Sequence, residues 1–78
     1  MEKYSREKIF EMLMKLRRQR EKLNYMIARV SEREKALFDL VVKLHESGDR
    51  SRAVLYANEL AETRKMLRIL HSTCLLYT

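Results

Sequence analysis

The sequence predicts an all-α fold, an asymmetric antiparallel hairpin of two long, coiled-coil-like helices. Among its 78 residues there is one glycine, Gly48, and no proline. Apolar residues recur at alternating spacings of three and four on both sides of that glycine, and the two periodic segments differ clearly in length. We therefore expect one helical hairpin over 1–78, with helix one at about 5–46, a turn at 47–49 and helix two at about 51–77.

Helix one carries a nearly continuous apolar row, which we call the seam. With Ile9 placed at heptad position d, every d position up to Leu44 is apolar, while the a positions include the charged residues Arg20 and Glu34. Ser31 followed by Glu34 resembles a capping box that could start a new helix. Because neither glycine nor proline lies nearby and the seam continues through this point, we expect a single uninterrupted helix.

The turn and the second helix follow from the residues around Gly48. Glycine suits the left-handed backbone that ends a helix, and Asp49 is a favourable N-cap for the next one. Folding the chain back at Gly48 pairs positions whose numbers sum to about 97, so Leu37 meets Leu60. In the same register Glu34 lies beside Arg64, and we expect this polar pair within the seam to set the hairpin register. The alternative is that both side chains simply extend into water.

The difference in helix length leaves the first 15 to 20 residues without a partner inside the hairpin. Full burial of a large apolar side chain is worth roughly 1.5–3 kcal/mol, so an apolar cluster in this segment favours self-association. The alternative is a wider core face that additional chain covers. The candidates for contacts between subunits are Ile9, Phe10, Met12, Leu13, Leu16, Met26 and Leu40.

The net charge of +6 is concentrated at the start of the chain. Residues 1–30 hold nine Lys or Arg against four Glu. Four basic residues follow one another at seven-residue intervals, namely Lys8, Lys15, Lys22 and Arg29, and Arg18 lies beside them. Residues seven apart share a helix face. These five residues are the candidate contacts to an anionic membrane surface. An ordinary solvated face is the alternative, and nucleic acid is a weaker second target, because few aromatic residues are free to stack on bases.

Catalytic and cofactor chemistry are not indicated. His45 and His71 each lack a second ligand at metal-binding spacing, and one glycine cannot form a phosphate-binding loop. Cys74 lies at a seam position and is expected to act as a small apolar residue in a reducing compartment. We expect no enzyme activity, no metal and no cofactor. Without a signal sequence or a run of about 20 apolar residues, the chain is predicted to be cytoplasmic and peripheral to the membrane.

Three segments carry a resemblance to a known family. They are residues 24–41, the turn Ser47-Gly48-Asp49, and residues 56–65 with the sequence Tyr-Ala-Asn-Glu-Leu-Ala-Glu-Thr-Arg-Lys. Together they resemble the helical-hairpin core of archaeal ESCRT-III proteins, the CdvB family of cell-division factors, over residues 5 to about 70. The resemblance implies a subunit that polymerises with itself and related ESCRT-III subunits on membranes at the division site. It also implies later removal by an AAA ATPase that grips motifs near the C-terminus.

The sequence departs from that family pattern after residue 70, where it ends within helix two. The acidic regulatory helices and the ATPase-binding tail of such proteins are not in these 78 residues. We expect the chain to be the core fragment of a longer subunit or a reduced natural variant, so that an AAA ATPase would engage only through other regions. The predicted function is a structural subunit of a membrane-remodelling polymer. The alternatives are a basic hairpin that binds nucleic acid and a coiled-coil adaptor.

Overall fold

The computed structural model describes residues 5–77, and the ends of the predicted 1–78 unit, residues 1–4 and 78, lie outside this range. Two α-helices make up the described chain, α1 at Arg6–Glu46 and α2 at Arg50–Tyr77. They pack along each other into a rod of 70 × 14 × 13 Å. The predicted all-α hairpin of two long helices is thereby confirmed.

Helix α1 begins at a capped N-terminus and runs without a break. The Ser5 hydroxyl accepts a hydrogen bond from the backbone N–H of Lys8 at 3.2 Å, which satisfies one of the free donors of the first turn. The helix then passes through Ser31 and Glu34 with no interruption. The capping-box pattern at that point therefore does not start a helix, because no residue before it breaks the preceding one.

The turn has the chemistry that its residues predict. Gly48 has a φ of +82°, in the left-handed region that glycine enters without a steric penalty. The backbone N–H of Asp49 donates to the carbonyl of Leu44 at 2.9 Å, and this closes the end of α1. The Asp49 carboxylate accepts the backbone N–H of Arg52 at 3.2 Å and caps α2.

The core lies between the helices and is only one layer deep. Leu37, Ala53 and Leu60 are its buried apolar residues. Thr63 is buried with them, and its hydroxyl donates to the carbonyl of Glu59 at 2.9 Å, so this polar group is satisfied within its own helix. A hairpin of this thickness leaves most seam residues only half-buried, since α2 is the single neighbour that covers the seam where the two helices pair.

Two contacts between the helices define the register. The guanidinium of Arg64 lies 3.1 Å from a carboxylate oxygen of Glu34. The thiol of Cys74 lies 3.5 Å from the side-chain oxygen of Asn24. In both contacts the residue numbers sum to 98, which agrees with the predicted sum of about 97 to within one residue.

Helix α1 has 41 residues and α2 has 28, so the first part of α1 extends beyond the end of α2. At 1.5 Å per residue this difference corresponds to roughly 20 Å. We call residues 6–19 the overhang. Most of its apolar residues face solvent in the hairpin, and Leu13 remains 58% exposed.

Candidate membrane-binding and self-association surfaces

The basic row consists of Lys8, Lys15, Lys22 and Arg29. All four side chains are exposed, and they lie on one continuous helix. Because seven residues make nearly two turns, successive members are roughly 10 Å apart and the row covers about 30 Å. Arg18 is also exposed and lies next to the row. The row can therefore place four positive charges against one flat anionic surface at the same time.

An exposed tyrosine, which sequence reasoning missed, lies next to the last member of the row. The Arg29 guanidinium donates a hydrogen bond to the Tyr25 hydroxyl at 3.1 Å and lies 5.9 Å from the centre of its ring. The tyrosine also lines a shallow groove, whose lining residues are Arg18, Glu21, Lys22, Tyr25 and Met26. The four-residue spacing of Tyr25 and Arg29 was the sequence signal for this contact, because side chains four residues apart are neighbours on a helix.

Two ion pairs join the helices on opposite edges of the hairpin. Arg33 and Glu34 precede the buried Leu37 by four and three residues, so they lie on either side of it. Glu34 pairs with Arg64 as the sequence predicts, and Arg33 pairs with Glu59, which sequence reasoning missed. The two pairs have opposite polarity, because α1 supplies the cation in one and the anion in the other. We refer to the Arg33–Glu59 edge and the Glu34–Arg64 edge.

The Glu34–Arg64 edge also carries an aromatic contact. The Arg64 guanidinium reaches Glu34 through two of its nitrogens and lies 5.9 Å from the centre of the Phe38 ring. Arg64 is therefore held by a carboxylate and a ring at once. The Arg64 side chain remains 49% exposed, so we expect water to weaken the ion pair considerably.

Most of the predicted self-association residues are exposed. Leu40 differs from the others because it is half-buried beside the seam, so it offers little surface to another subunit. An open groove of about 400 Å³, which runs along the overhang as far as Arg20, combines apolar residues with two arginines. Its lining residues are Phe10, Leu13, Met14, Leu16, Arg17 and Arg20. The exposed candidates are Ile9, Phe10, Met12, Leu13, Leu16 and Met26.

The surface offers charge and apolar area. No group of three or more His, Cys, Asp or Glu residues within residues 5–77 is arranged to hold a metal ion. Neither helix, over the same residues, has an apolar stretch long enough to cross a bilayer. The described surface combines exposed cations with exposed apolar side chains.

Two curated proteins of Sulfolobus acidocaldarius are similar to this chain. Cell division protein B is 39% identical over 67 residues, which are 86% of this chain and 26% of that protein. Cell division protein B1 is 50% identical over 52 residues, which are 67% of this chain and 24% of that protein. The predicted resemblance to the archaeal CdvB proteins is confirmed by these two similarities.

The chain spans about a quarter of the length of these relatives. No known family model matches it, and no solved structure shows a significant similarity.

Proposed function

We propose that this chain, a relative of archaeal cell division protein B, takes part in cell division as a structural subunit of an ESCRT-III-like polymer that binds and remodels membranes. The observation that supports the proposal best is the basic row on a long helix. Four exposed cations at seven-residue intervals share one side of a 70 Å rod. The names of the relatives supply the cellular process, and the surface chemistry suggests how the chain serves it.

Membrane attachment in this proposal is electrostatic. Each Lys or Arg near an anionic bilayer contributes about 1 kcal/mol, so the four members of the row together contribute about 4 kcal/mol. The attraction falls off within a Debye length, about 8 Å at physiological ionic strength, and therefore weakens with added salt. A single chain would bind modestly, and a polymer of such chains would bind firmly, because attachment at many points adds up.

Polymerisation in this proposal starts from the overhang. Most of its apolar residues stay exposed in the described hairpin, and a second copy laid antiparallel over the same segment would bury both clusters. The chain thus has a mechanical role and no catalytic one. Its partners are further copies of itself, related subunits and the cytoplasmic face of the membrane at the division site. Contact with an AAA ATPase would need regions outside these 78 residues.

The test compares membrane with nucleic acid as the target. The chain is sedimented with vesicles that contain phosphatidylglycerol or only phosphatidylcholine, and it is titrated onto duplex DNA in a gel shift at the same salt. We expect sedimentation with the phosphatidylglycerol vesicles. We also expect this binding to be lost when Lys8, Lys15, Lys22 and Arg29 are all replaced by Glu, with helicity retained.

A matched control changes the net charge equally at positions outside the row. The control replaces four exposed residues by Glu, namely Lys35, Arg50, Lys65 and Arg68. This variant should keep much of the vesicle binding. Equal losses in the two quadruple variants would mean that net charge and not the row attracts the membrane. Tight DNA binding without vesicle binding would favour the nucleic-acid alternative, and binding to neither would favour a coiled-coil adaptor.

A further inference from the structure

Helix α2 contributes apolar residues to the side of the hairpin that carries the basic row. Met26 of α1 and Met66 of α2 are 50% and 53% exposed. Sequence reasoning placed Met26 among the contacts between subunits and gave Met66 no role. The structure places both on the Arg33–Glu59 edge.

That position follows from the heptad spacing and from two contacts across the helices. Met26 precedes Arg33 by seven residues and Met66 follows Glu59 by seven, so the two methionines repeat the diagonal spacing of that ion pair on the same edge of the hairpin. Seven residues beyond Met66 lies Thr73, which lines one groove together with Met26 and Lys22. Met66 therefore lies between two positions on α2 that contact this edge of α1.

The surroundings of the methionine pair are partly cationic and partly apolar. Lys22 and Arg29 lie four residues before and three residues after Met26, so both are its neighbours on the helix face. On α2, Ile69 follows Met66 by three residues and is also exposed. The result is an apolar strip that the basic row borders on its α1 side.

We propose that this strip enters an anionic bilayer, so that the hairpin lies flat with both helices at the membrane surface. The proposal rests on the membrane function proposed above and adds an apolar component to it. Flexible, unbranched methionine side chains can fill irregular gaps between lipids while the neighbouring cations reach the headgroups. Met26 is thereby assigned to the bilayer and not to a contact between subunits.

Charge complementarity favours a bilayer over a second copy of the chain as the occupant. If two copies faced each other through this strip, their basic rows would approach one another, and like charges repel. An anionic bilayer has negative headgroups at the level of the row and hydrocarbon just below them. Such a bilayer can therefore pair with the cations and bury the methionine side chains.

The sequence contains no tryptophan, so the fluorescence of a single introduced tryptophan reports the surroundings of that one position. The variants Met26→Trp and Met66→Trp place the probe on the strip. Phe38→Trp is the control, an exposed aromatic position on the Glu34–Arg64 edge. Each variant is mixed with phosphatidylglycerol vesicles that contain brominated acyl chains, and sedimentation is measured in parallel.

We expect strong quenching and a blue shift of tryptophan emission for Met26→Trp and Met66→Trp, and little change for Phe38→Trp. The double variant Met26→Ser with Met66→Ser should bind these vesicles about tenfold more weakly, since two apolar side chains are lost from the contact.

Three results would overturn the proposal. The first is sedimentation of all variants without quenching at positions 26 and 66, which would leave the electrostatic function intact and remove only the insertion. The second is equal quenching at all three positions. The third is a blue shift without vesicles that grows with protein concentration, which would identify a second copy as the occupant. Failure of every variant to sediment would instead contradict the membrane function itself.

Discussion

The paired part of α1, residues 20–46, and the overhang, residues 6–19, carry the same apolar pattern and end up in different surroundings. Leu37 in the paired part is 7% exposed, whereas Leu13 in the overhang is 58% exposed. The difference comes from α2, which covers one segment and ends before the other. A heptad pattern thus determines which face of a helix is apolar, and the length of the partner determines how much of that face is buried.

The two segments should therefore contribute differently to stability and to association. The paired part holds the hairpin together, since every buried apolar residue lies there or opposite it on α2 in the described chain. The overhang adds little to the stability of one hairpin, because its apolar residues lose little contact with water on folding. Three predictions test this contrast, in order of decreasing effect.

The largest difference should appear when leucines are shortened in each segment. Leu37→Ala removes a buried side chain and should lower the free energy of unfolding by about 2–3 kcal/mol. Leu13→Ala is the matched control in the overhang and should change it by less than about 0.5 kcal/mol. Urea unfolding followed by circular dichroism measures both, at a protein concentration low enough to keep the chain monomeric. Similar losses would show that the overhang is already buried in solution.

Charged substitutions in the overhang should affect association and leave the hairpin folded. Leu13→Glu combined with Leu16→Glu should weaken self-association by about 2 kcal/mol, because two half-exposed leucines no longer become buried between copies. Light scattering should then show a shift from dimers or larger species towards monomer. The wild-type chain remaining monomeric at high concentration would contradict the expected association.

The smallest effect concerns the ion pair at the Glu34–Arg64 edge. Glu34→Lys would bring two cations together and should destabilise the hairpin by about 1 kcal/mol, a modest value because Arg64 is half exposed. Glu32→Lys makes the same charge change at an exposed position close by and should have little effect. Adding Arg64→Glu to Glu34→Lys should recover part of the loss in thermal melts. Equal effects at positions 34 and 32 would show that the pair does not contribute to the register.

The amino-acid sequence by itself determined the features that depend on local chemistry. Gly48 and Asp49 predict the turn because a left-handed backbone and an N-cap are properties of single residues. The seam predicts the packed faces, and the turn position predicts the register to within one residue. The basic row also follows from spacing alone, because residues seven apart share a face of any regular helix.

Only the tertiary structure decided how the two helices are rotated towards each other. That rotation brings Arg33 to Glu59, leaves Leu40 half-buried and puts Met66 on the same edge as Met26. None of these relations is contained in the periodicity of either helix alone. They depend on how each helix is rotated about its own axis within the pair, and side-chain packing across the whole interface sets that rotation.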